Sequence, residues 1–183
     1  MELNFDRLWA PWRLEYVTGA ESTAPPLEPI DWRPGADHNC FLCRAAASYA
    51  APADADRVLL VAQRSSVTMV VLNRFPYNNG HLLVSPLRHV GDLSELSQAE
   101  HIGCMESLSR LTQVYRDLLN AEGFNIGLNL GRVAGAGLPG HLHWHLVPRW
   151  AGDNNFMPVL AGTRVIPQSL EALWELLVSA LKQ

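Results

Sequence analysis

The chain has 183 residues, of which 48% are hydrophobic and 17% are charged, and its formal net charge is −4 at pH 7. This composition is too apolar for a disordered protein, offers no apolar run long enough to span a membrane, and lacks the excess of Lys and Arg that a broad nucleic-acid surface needs. A chain of this length is expected to bury one core, so residues 1–183 are predicted to form a single domain without membrane or nucleic-acid partners.

The N-terminal part, residues 1–39, is expected to be an arm followed by an irregular segment. It starts with acidic residues and the tryptophans Trp9 and Trp12, and it becomes rich in Pro, Ala and Gly at 19–39. The start lacks the basic residues and long apolar stretch of a secretory signal, so a cytoplasmic location is expected. Trp9 and Trp12 are predicted to anchor the arm on the domain or on a partner subunit.

Two close-spaced thiols follow, Cys40 and Cys43 in the sequence CFLC. In a reducing compartment such a pair binds metal more often than it forms a structural disulfide, and it supplies half of a tetrahedral zinc site. The alternative is that both cysteines are merely small buried residues. In that case nearby His38 is either an incidental metal ligand or not a ligand at all. Cys104 falls among the apolar positions of a predicted helix and is expected to lie in the core.

Short aliphatic segments with turn residues between them predict an antiparallel meander. The three predicted strands are Arg57–Ala62, Val67–Asn73 and His81–Pro86. The last two are joined by RFPYNNG, in which Asn-Asn-Gly favours positive φ.

The remaining chain predicts a long helix, two more strands and a C-terminal helix. Ser97 and Glu100 form a capping box, and apolar residues at three- and four-residue steps then predict one amphipathic helix that ends near Gly123. The two further predicted strands are Phe124–Leu130 and His141–Pro148. A last helix is predicted from the apolar face that runs from Leu170 to Leu181, and the whole order indicates an α+β fold.

The most specific pattern is HLHWHLV, which begins at His141. Side chains alternate between the two faces of a strand, so His141, His143 and His145 are predicted to line one surface while the intervening apolar residues face the core. Imidazoles on one surface can supply a nucleophile, a proton donor and hydrogen bonds to phosphate. The alternatives are the polar face of an exposed strand and a metal site.

The loop before this pattern, Gly135–Gly140, formally spells G-x-G-x-x-G. A dinucleotide-binding turn lies between the strand and the helix of a βαβ unit, whereas a strand follows here, so that interpretation is rejected. The glycines either let backbone amides approach a phosphate, with Gly140 as the nucleotide-binding candidate, or form a plain flexible loop. Arg132 and Arg149 are the nearest cations, and each is either a phosphate ligand or surface charge.

The pattern HLHWHLV fits the signature of the histidine triad (HIT) family at every position, and the chain resembles that family over roughly 57–150 through LNRFPYNNGHLLVSPLRHV and GLNLG. The segments LWAPWRLEY, Cys-x-x-Cys and PRWAGDNNFM look like its bacterial diadenosine tetraphosphate phosphorylase-like branch. The resemblance implies an α+β HIT-like fold, an antiparallel sheet with one long packed helix and a C-terminal helix. It also implies a core at 40–150 and a C-terminal extension at 151–183.

The resemblance further implies nucleotidyl transfer through a nucleotidyl-histidine intermediate. His143 would attack the α-phosphorus of a dinucleoside polyphosphate such as diadenosine tetraphosphate, and inorganic phosphate would then accept the nucleotide, giving ADP and ATP. By motif position, His145 would donate to a non-bridging oxygen or to the leaving group, and His81 would join this network. Asn73 would contact the ribose, and Asn129 would lie close to the ribose and the phosphate. The alternatives are that Asn73 only forms the turn at a strand end and that Asn129 is only a loop residue.

Three rival functions remain open at this point. The first is hydrolysis of dinucleoside polyphosphates, and the second is hydrolysis of nucleoside phosphoramidates, which is the chemistry of another branch of the family. The third is a non-catalytic nucleotide-binding module.

Zinc-bearing relatives imply a structural metal site here. Their ligands are a Cys-x-x-Cys, the histidine of a Pro-x-x-His and the first histidine of the triad, which correspond to Cys40, Cys43, His89 and His141. Four protein ligands leave no open position, so zinc would stabilise the fold rather than activate water. Magnesium can enter with the polyphosphate substrate. Family members are usually dimers, which implies a homodimer or a higher homo-oligomer.

Overall fold

The structure is a computed structural model that describes residues 27–153 and 166–182. Within these ranges the α-helices are α1 (Phe41–Ala46), α2 (Pro52–Val58), α3 (Gln98–Leu119) and α4 (Leu170–Leu181). The strands are β1 (Val61–Arg64), β2 (Thr68–Leu72), β3 (Leu82–Pro86), β4 (Gly123–Leu128) and β5 (Trp144–Arg149). Short 3-10 turns lie at Leu93–Glu95 and Arg132–Ala134.

The strands form one antiparallel sheet in the order β1-β2-β3-β5-β4. This confirms the α+β prediction and the meander of the first three strands. The strand β5 lies between β3 and β4, with His145 opposite Leu83 and Gly127. Residues opposite each other in an antiparallel pair point to the same face, so His145 shares the face on which Leu83 lies.

Each face of the sheet buries its own apolar cluster. Under α3 and α4 the cluster contains Leu142, Trp144 and Leu146, together with Leu108, Leu111, Leu173 and Leu177 from the helices. The opposite face packs against α1 through Leu42, Cys43, Val61, Met69, Val71 and Leu83. Leu142, Trp144 and Leu146 therefore face the long helix, as their alternation predicted, and the histidines lie on the α1 side.

The first predicted strand, Arg57–Ala62, begins four residues too early. Residues Pro52–Val58 form helix α2, and the strand begins only at Val61. Pro52 occupies the first turn of this helix, where its missing N–H is not needed, and Leu60 with φ of 58° ends the turn that follows it. A short aliphatic run such as VLLVA fits a buried helix end and a buried strand equally well, so its periodicity could not separate the two.

The boundaries of the other elements differ from the predictions by a few residues. The long helix α3 has the predicted Ser97 and Glu100 capping box and ends at Leu119, where Asn120 adopts a left-handed conformation with φ of 52°. The triad strand β5 begins at Trp144, so His141 and His143 lie in the segment just before it. The C-terminal helix is confirmed as α4.

Gly80 ends the turn between β2 and β3 and is the residue of Asn-Asn-Gly that adopts positive φ, at 77°. A Cβ atom at this position would lie 3.0 Å from Pro148 Cγ and 3.3 Å from a ring carbon of Tyr115. Both the backbone conformation and the close approach therefore require glycine.

Glu100 is a buried carboxylate that connects the start of α3 to the loop after β3. Arg88 donates to both of its carboxylate oxygens at 3.0 and 2.8 Å, and the backbone N–H of Ser97 donates at 2.8 Å. These bonds, chiefly those from Arg88, lower the pKa of Glu100 to about 2. The same loop carries His89.

We expect Glu100→Gln to lower the free energy of unfolding by about 1–2 kcal/mol at pH 7. This is smaller than the free energy that corresponds to the full pKa shift, because the Arg88 side chain is half-exposed and solvent screens the ion pair. Since the folded pKa lies below the unfolded value, this contribution is complete above about pH 4.5 and is lost as the pH falls toward 2. Urea unfolding from pH 7 to pH 2.5 measures it. Glu106→Gln, on the exposed side of the same helix, is the control, and equal losses in both variants at every pH would contradict the prediction.

Parts of the sequence predictions fall outside the described residues. The arm with Trp9 and Trp12 precedes residue 27, and part of the C-terminal extension falls in 154–165. The described part of the irregular segment, 27–39, contains no helix and only one isolated β-bridge, between Asp31 and Ser48. Among the helices in the described ranges, none combines the length and apolar character that crossing a membrane requires.

Candidate active site and metal centre

His143 has a defined tautomer in this structure. Its Nδ1 lies 2.8 Å from the backbone carbonyl oxygen of His141. A carbonyl can only accept, so Nδ1 carries the proton and donates, and the neutral ring keeps its lone pair on Nε2. The side chain is buried, at 7% exposure. A buried imidazole with a lone pair on Nε2 and a carbonyl behind Nδ1 is arranged as a nucleophile, because the carbonyl stabilises the positive charge that the ring gains on attack.

His145 and His81 form a hydrogen-bonded pair beside His143. The ring centroids of His143 and His145 are 5.1 Å apart, and His81 Nε2 lies 2.9 Å from His145 Nδ1. The backbone N–H of Tyr77 donates to His81 Nδ1 at 3.1 Å, so the neutral His81 ring carries its proton on Nε2 and donates it to His145. Neutral His145 is thereby left with its own proton on Nε2.

Burial lowers the pKa of His145, and a positive charge on His143 would lower it further. His145 is consequently a neutral N–H donor near pH 7. A donor of this kind, beside a nucleophilic imidazole, suits a hydrogen bond to an oxygen of a phosphate ester, where negative charge develops during attack.

Asn73 supports His81 in this structure. Its Nδ2 donates to His81 Nδ1 at 3.1 Å, and its Oδ1 accepts from the backbone N–H of Phe75 at 3.0 Å. The amide therefore closes the start of the turn and helps to hold the His81 ring. The turn-forming alternative for Asn73 thus has direct geometric support, beside its predicted contact with a ribose.

The four predicted metal ligands come together on the α1 side of the sheet. One potential ligand atom from each of Cys40, Cys43, His89 and His141 lies within 4.8 Å of the other three. His141 Nδ1 is 3.3 Å from Cys40 Sγ, and His89 Nδ1 is 3.2 Å from Cys43 Sγ. A tetrahedral zinc ion holds sulfur and nitrogen ligands about 3.5 Å apart, so the spacing and the donor set fit zinc.

His141 is prepared for metal binding by its second nitrogen. Nε2 donates to the carbonyl oxygen of Pro86 at 3.0 Å, which leaves the lone pair on Nδ1, facing the cysteines. Burial lowers the pKa of His141 to about 4, so the ring stays in the neutral form that binds metal. Burial raises the pKa of Cys40 to about 12, and a bound cation would reverse this by favouring the thiolate.

The metal centre and the triad share one residue. The side chain of His141 belongs to the metal cluster, while its backbone carbonyl accepts the hydrogen bond from His143 Nδ1. Fixing the His141 side chain therefore fixes the group that sets the tautomer of His143.

Three other candidates from the sequence, His38, Gly140 and Asn129, lie near the metal cluster or the triad. His38 stacks on Trp32 with ring centroids 4.2 Å apart and does not belong to the metal cluster. A Cβ at Gly140 would lie 3.2 Å from Nε2 of His89, so this glycine makes room for a metal-ligand ring. Asn129 directly follows β4. Because Leu128 pairs with Trp144 in an antiparallel register, the next residue, Asn129, lies at the level of His143. Its side-chain amide donates to the carbonyl of Gly135 at 3.4 Å.

Arg149 is engaged in a structural ion pair. It donates from Nε and Nη2 to the carboxylate of Asp153 at 2.6 and 2.8 Å, and from Nη1 to Asn125 Oδ1 at 2.7 Å. These bonds from Arg149 lower the pKa of Asp153 to about 2. Asn78 donates to the same carboxylate at 2.8 Å.

Sequence reasoning missed the groups that hold the histidines in place. They include the carbonyls of Pro86 and His141 and the N–H of Tyr77, and no side-chain pattern can reveal such backbone contacts. It also missed Asp153 and Asn78. The only signal for these was an acid four residues after Arg149 and an asparagine in the turn before His81.

Four histidines and a Cys2His2 cluster on one face of an antiparallel sheet define a histidine-triad site, and residues 56–152 match the HIT domain. The chain belongs to the HIT family.

Within this family the chain is similar to AP-4-A phosphorylase of Mycobacterium tuberculosis, with 36% identity over 182 residues, 96% of this chain and 84% of that protein. It is 33% identical over 90 residues to the asymmetrical bis(5'-nucleosyl)-tetraphosphatase of Schizosaccharomyces pombe, covering 49% of each chain. Among solved structures it resembles a Zn-bound histidine triad family protein from Mycobacterium smegmatis, with a TM-score of 0.56 and 30% identity, over 68% of this chain and 84% of that one.

Proposed function

We propose that this protein cleaves diadenosine tetraphosphate by phosphorolysis, giving ADP and ATP, with His143 as the nucleophile. The observation that carries the proposal is the hydrogen bond from His143 Nδ1 to the His141 carbonyl, which leaves a lone pair on Nε2 beside the N–H of His145. The similarity to AP-4-A phosphorylase over 96% of the chain supports the substrate and the acceptor.

In the first step, His143 Nε2 attacks an α-phosphorus, a bond forms between nitrogen and phosphorus, and the bond to the bridging oxygen of the triphosphate breaks. ATP leaves with the bond electrons on its terminal oxygen, and the Nε2–H of His145 donates a hydrogen bond to that leaving oxygen or to a non-bridging oxygen and keeps its proton. In the second step, an oxygen of inorganic phosphate attacks the adenylyl-histidine and forms ADP, and the His143 ring regains its lone pair. Two displacements of modest difficulty thus replace one difficult displacement.

The nucleotide is held by Asn73, Asn129 and Gly140 in this proposal. Asn129 lies at the level of His143 and supports a contact near the ribose and the α-phosphate. Asn73 is close to His81, so a ribose bound there would lie beside the proton-donating pair. The exposed Gly140 precedes His141 and offers backbone to a phosphate oxygen.

Zinc is the proposed occupant of the Cys2His2 cluster, as the sulfur and nitrogen donor set and the Zn-bound relative support. Four protein ligands would leave it a structural ion that stabilises the fold and holds His141. Magnesium is proposed to arrive with the tetraphosphate, whose charge it would partly neutralise.

The proposal includes a homodimer or higher homo-oligomer in the cytoplasm. In the described part of the sheet, β4 is an edge strand that pairs with β5 alone, and its residues Asn125–Gly127 are exposed, so a second copy has an edge to bind. All three cysteines are free thiols, which suits a reducing compartment. The helix α4 shares the cluster under α3, which supports one domain for the chain.

The proposed activity predicts a phosphate-dependent product pattern. We expect purified protein incubated with diadenosine tetraphosphate and inorganic phosphate to give equal amounts of ADP and ATP. Anion-exchange chromatography of the products measures this, with a reaction that lacks phosphate as the control. Equal amounts of AMP and ATP at the same rate with and without phosphate would contradict phosphorolysis.

That contrary pattern is the signature of the second candidate, hydrolysis. The similarity to an asymmetrical bis(5'-nucleosyl)-tetraphosphatase favours it. Water would then replace phosphate in the second displacement, while the roles of His143 and His145 would stay the same.

A further inference from the structure

The turn between β2 and β3 is fastened at its middle by Asn78. Its Oδ1 accepts from the backbone N–H of Asn79 at 3.0 Å, and its Nδ2 donates to Asp153 Oδ2 at 2.8 Å and to the Pro148 carbonyl at 3.2 Å. A backbone N–H can only donate, so the orientation of the amide is determined, and both of its N–H bonds reach acceptors at the end of β5.

Asp153 is a rigid anchor for this amide. Its carboxylate receives two bonds from Arg149 and one from the backbone N–H of Trp150 at 3.1 Å. Its side chain is 8% exposed, and Arg149 belongs to β5, the strand that carries His145. The anchor therefore moves with the triad strand.

The main chain of the same turn contacts His81. The carbonyl of Asn78 accepts from the backbone N–H of His81 at 3.3 Å, and one residue earlier the N–H of Tyr77 donates to His81 Nδ1 at 3.1 Å. Together with the Asn73 amide, which donates to the same nitrogen at 3.1 Å from the start of this turn, the Tyr77 N–H keeps the proton of His81 on Nε2. If Nδ1 carried it, the bond from Tyr77 would be lost and His145 would have to donate from its own Nδ1.

We propose that Asp153 and Asn78 are positioning residues that set the tautomers of His81 and His145 by fixing the Tyr77 N–H against His81 Nδ1. With the turn in place, His81 Nε2–H donates a hydrogen bond to His145 Nδ1, and His145 presents an N–H at Nε2. With the turn displaced, the reversed pair presents a lone pair there, which cannot donate to a phosphate oxygen. The expected effect on turnover rests on the proposed function. The expected tautomers of His81 and His145 do not depend on that function.

Long-range ¹H–¹⁵N correlation spectra of the substrate-free protein test the first part. They distinguish Nδ1–H from Nε2–H rings, and we expect Nε2–H for both His81 and His145. An Nδ1–H ring at His81 overturns the inference, and this readout is independent of whether the protein cleaves any dinucleotide.

Asn78→Ala tests the anchor itself. It removes the amide and leaves the Arg149–Asp153 pair intact, and we expect kcat to fall at least about tenfold with KM within about twofold, because a displaced donor weakens the transition state more than binding. We also expect His81 to show both tautomers. The control is Glu175→Gln, which breaks the exposed ion pair with Arg57 and should change neither quantity. A folded Asn78→Ala protein with parental tautomers and kcat overturns the inference.

Asn78→Asp provides a second, nearly isosteric variant if Asn78→Ala does not fold. It keeps the acceptor for the Asn79 N–H but turns an oxygen toward the Asp153 carboxylate, so we expect at least the same loss of kcat and the same mixture of tautomers. Retention of the parental spectrum would overturn the role of Asn78.

Discussion

His143→Ala is expected to lower the rate of diadenosine tetraphosphate cleavage by about 10⁴-fold or more, because the nucleophile of a two-step displacement cannot be replaced by its neighbours. His145 cannot take over. Its Nδ1 lone pair already accepts from His81, and its Nε2 carries a proton. His81 is fully buried, and its Nε2 is engaged with His145.

Rapid-quench experiments with substrate labelled in the α-phosphate measure this directly. The parent should form an acid-labile, base-stable adenylyl-histidine in the first turnover, and His143→Ala should form none. His101→Ala, which removes an exposed imidazole from α3, is the matched control and should retain the parental burst. A His143→Ala variant that keeps a tenth of the parental kcat would remove His143 from its proposed role.

Cys43→Ser is expected to abolish stoichiometric zinc binding and to lower the thermal unfolding midpoint by more than about 10 °C. Structural zinc sites contribute much of their binding energy to folding, and several kcal/mol correspond to such a shift in a chain of this length. The buried cluster joins α1 to the loop after β3 and to the start of β5, so its loss disconnects three segments of the chain. The same variant should lower kcat, since the His141 carbonyl that holds His143 would lose its support.

Metal analysis together with thermal unfolding, with and without a chelator, tests this prediction. Cys104→Ala is the control, because it removes the one thiol outside the cluster from the core under α3 and should leave one zinc per chain. Parent protein that contains no zinc and whose unfolding midpoint responds neither to chelator nor to added zinc would refute it.

The shared position of His141 explains why the two large effects are expected to be coupled. A strand alternates its side chains but presents its carbonyls laterally, so one residue can ligate a metal and still orient its neighbour two positions along. In our proposal the candidate site is therefore one unit, in which the metal cluster supports the proposed nucleophile, His143, and Asp153 supports the proposed hydrogen-bond donor, His145.

Much of this site could be predicted from the chain alone because its information is local. In any extended backbone, the two-residue spacing in HLHWHLV places His143 and His145 on the same face. The spacing in CFLC likewise places two thiols within reach of one metal ion. The capping box at Ser97 and Glu100 and the apolar stripe of α3 likewise act within a few residues. The exception is Arg57–Ala62, where a short aliphatic run is compatible with two conformations, and where the structure has the end of helix α2 at Val58 followed by strand β1 from Val61.

Local patterns in the chain were enough to predict the strand alternation, the long helix, the family and the candidate residues for metal binding and for attack on phosphorus. The protonation and orientation of those residues became visible only in the folded protein. The tautomers of His81, His143 and His145 depend on the Tyr77 N–H, on the His141 carbonyl and on hydrogen bonds between residues as far apart as Asn78 and Asp153. Every residue other than proline carries the same backbone donor and acceptor, so a sequence does not indicate which of them will contact an imidazole until the sheet brings distant segments together.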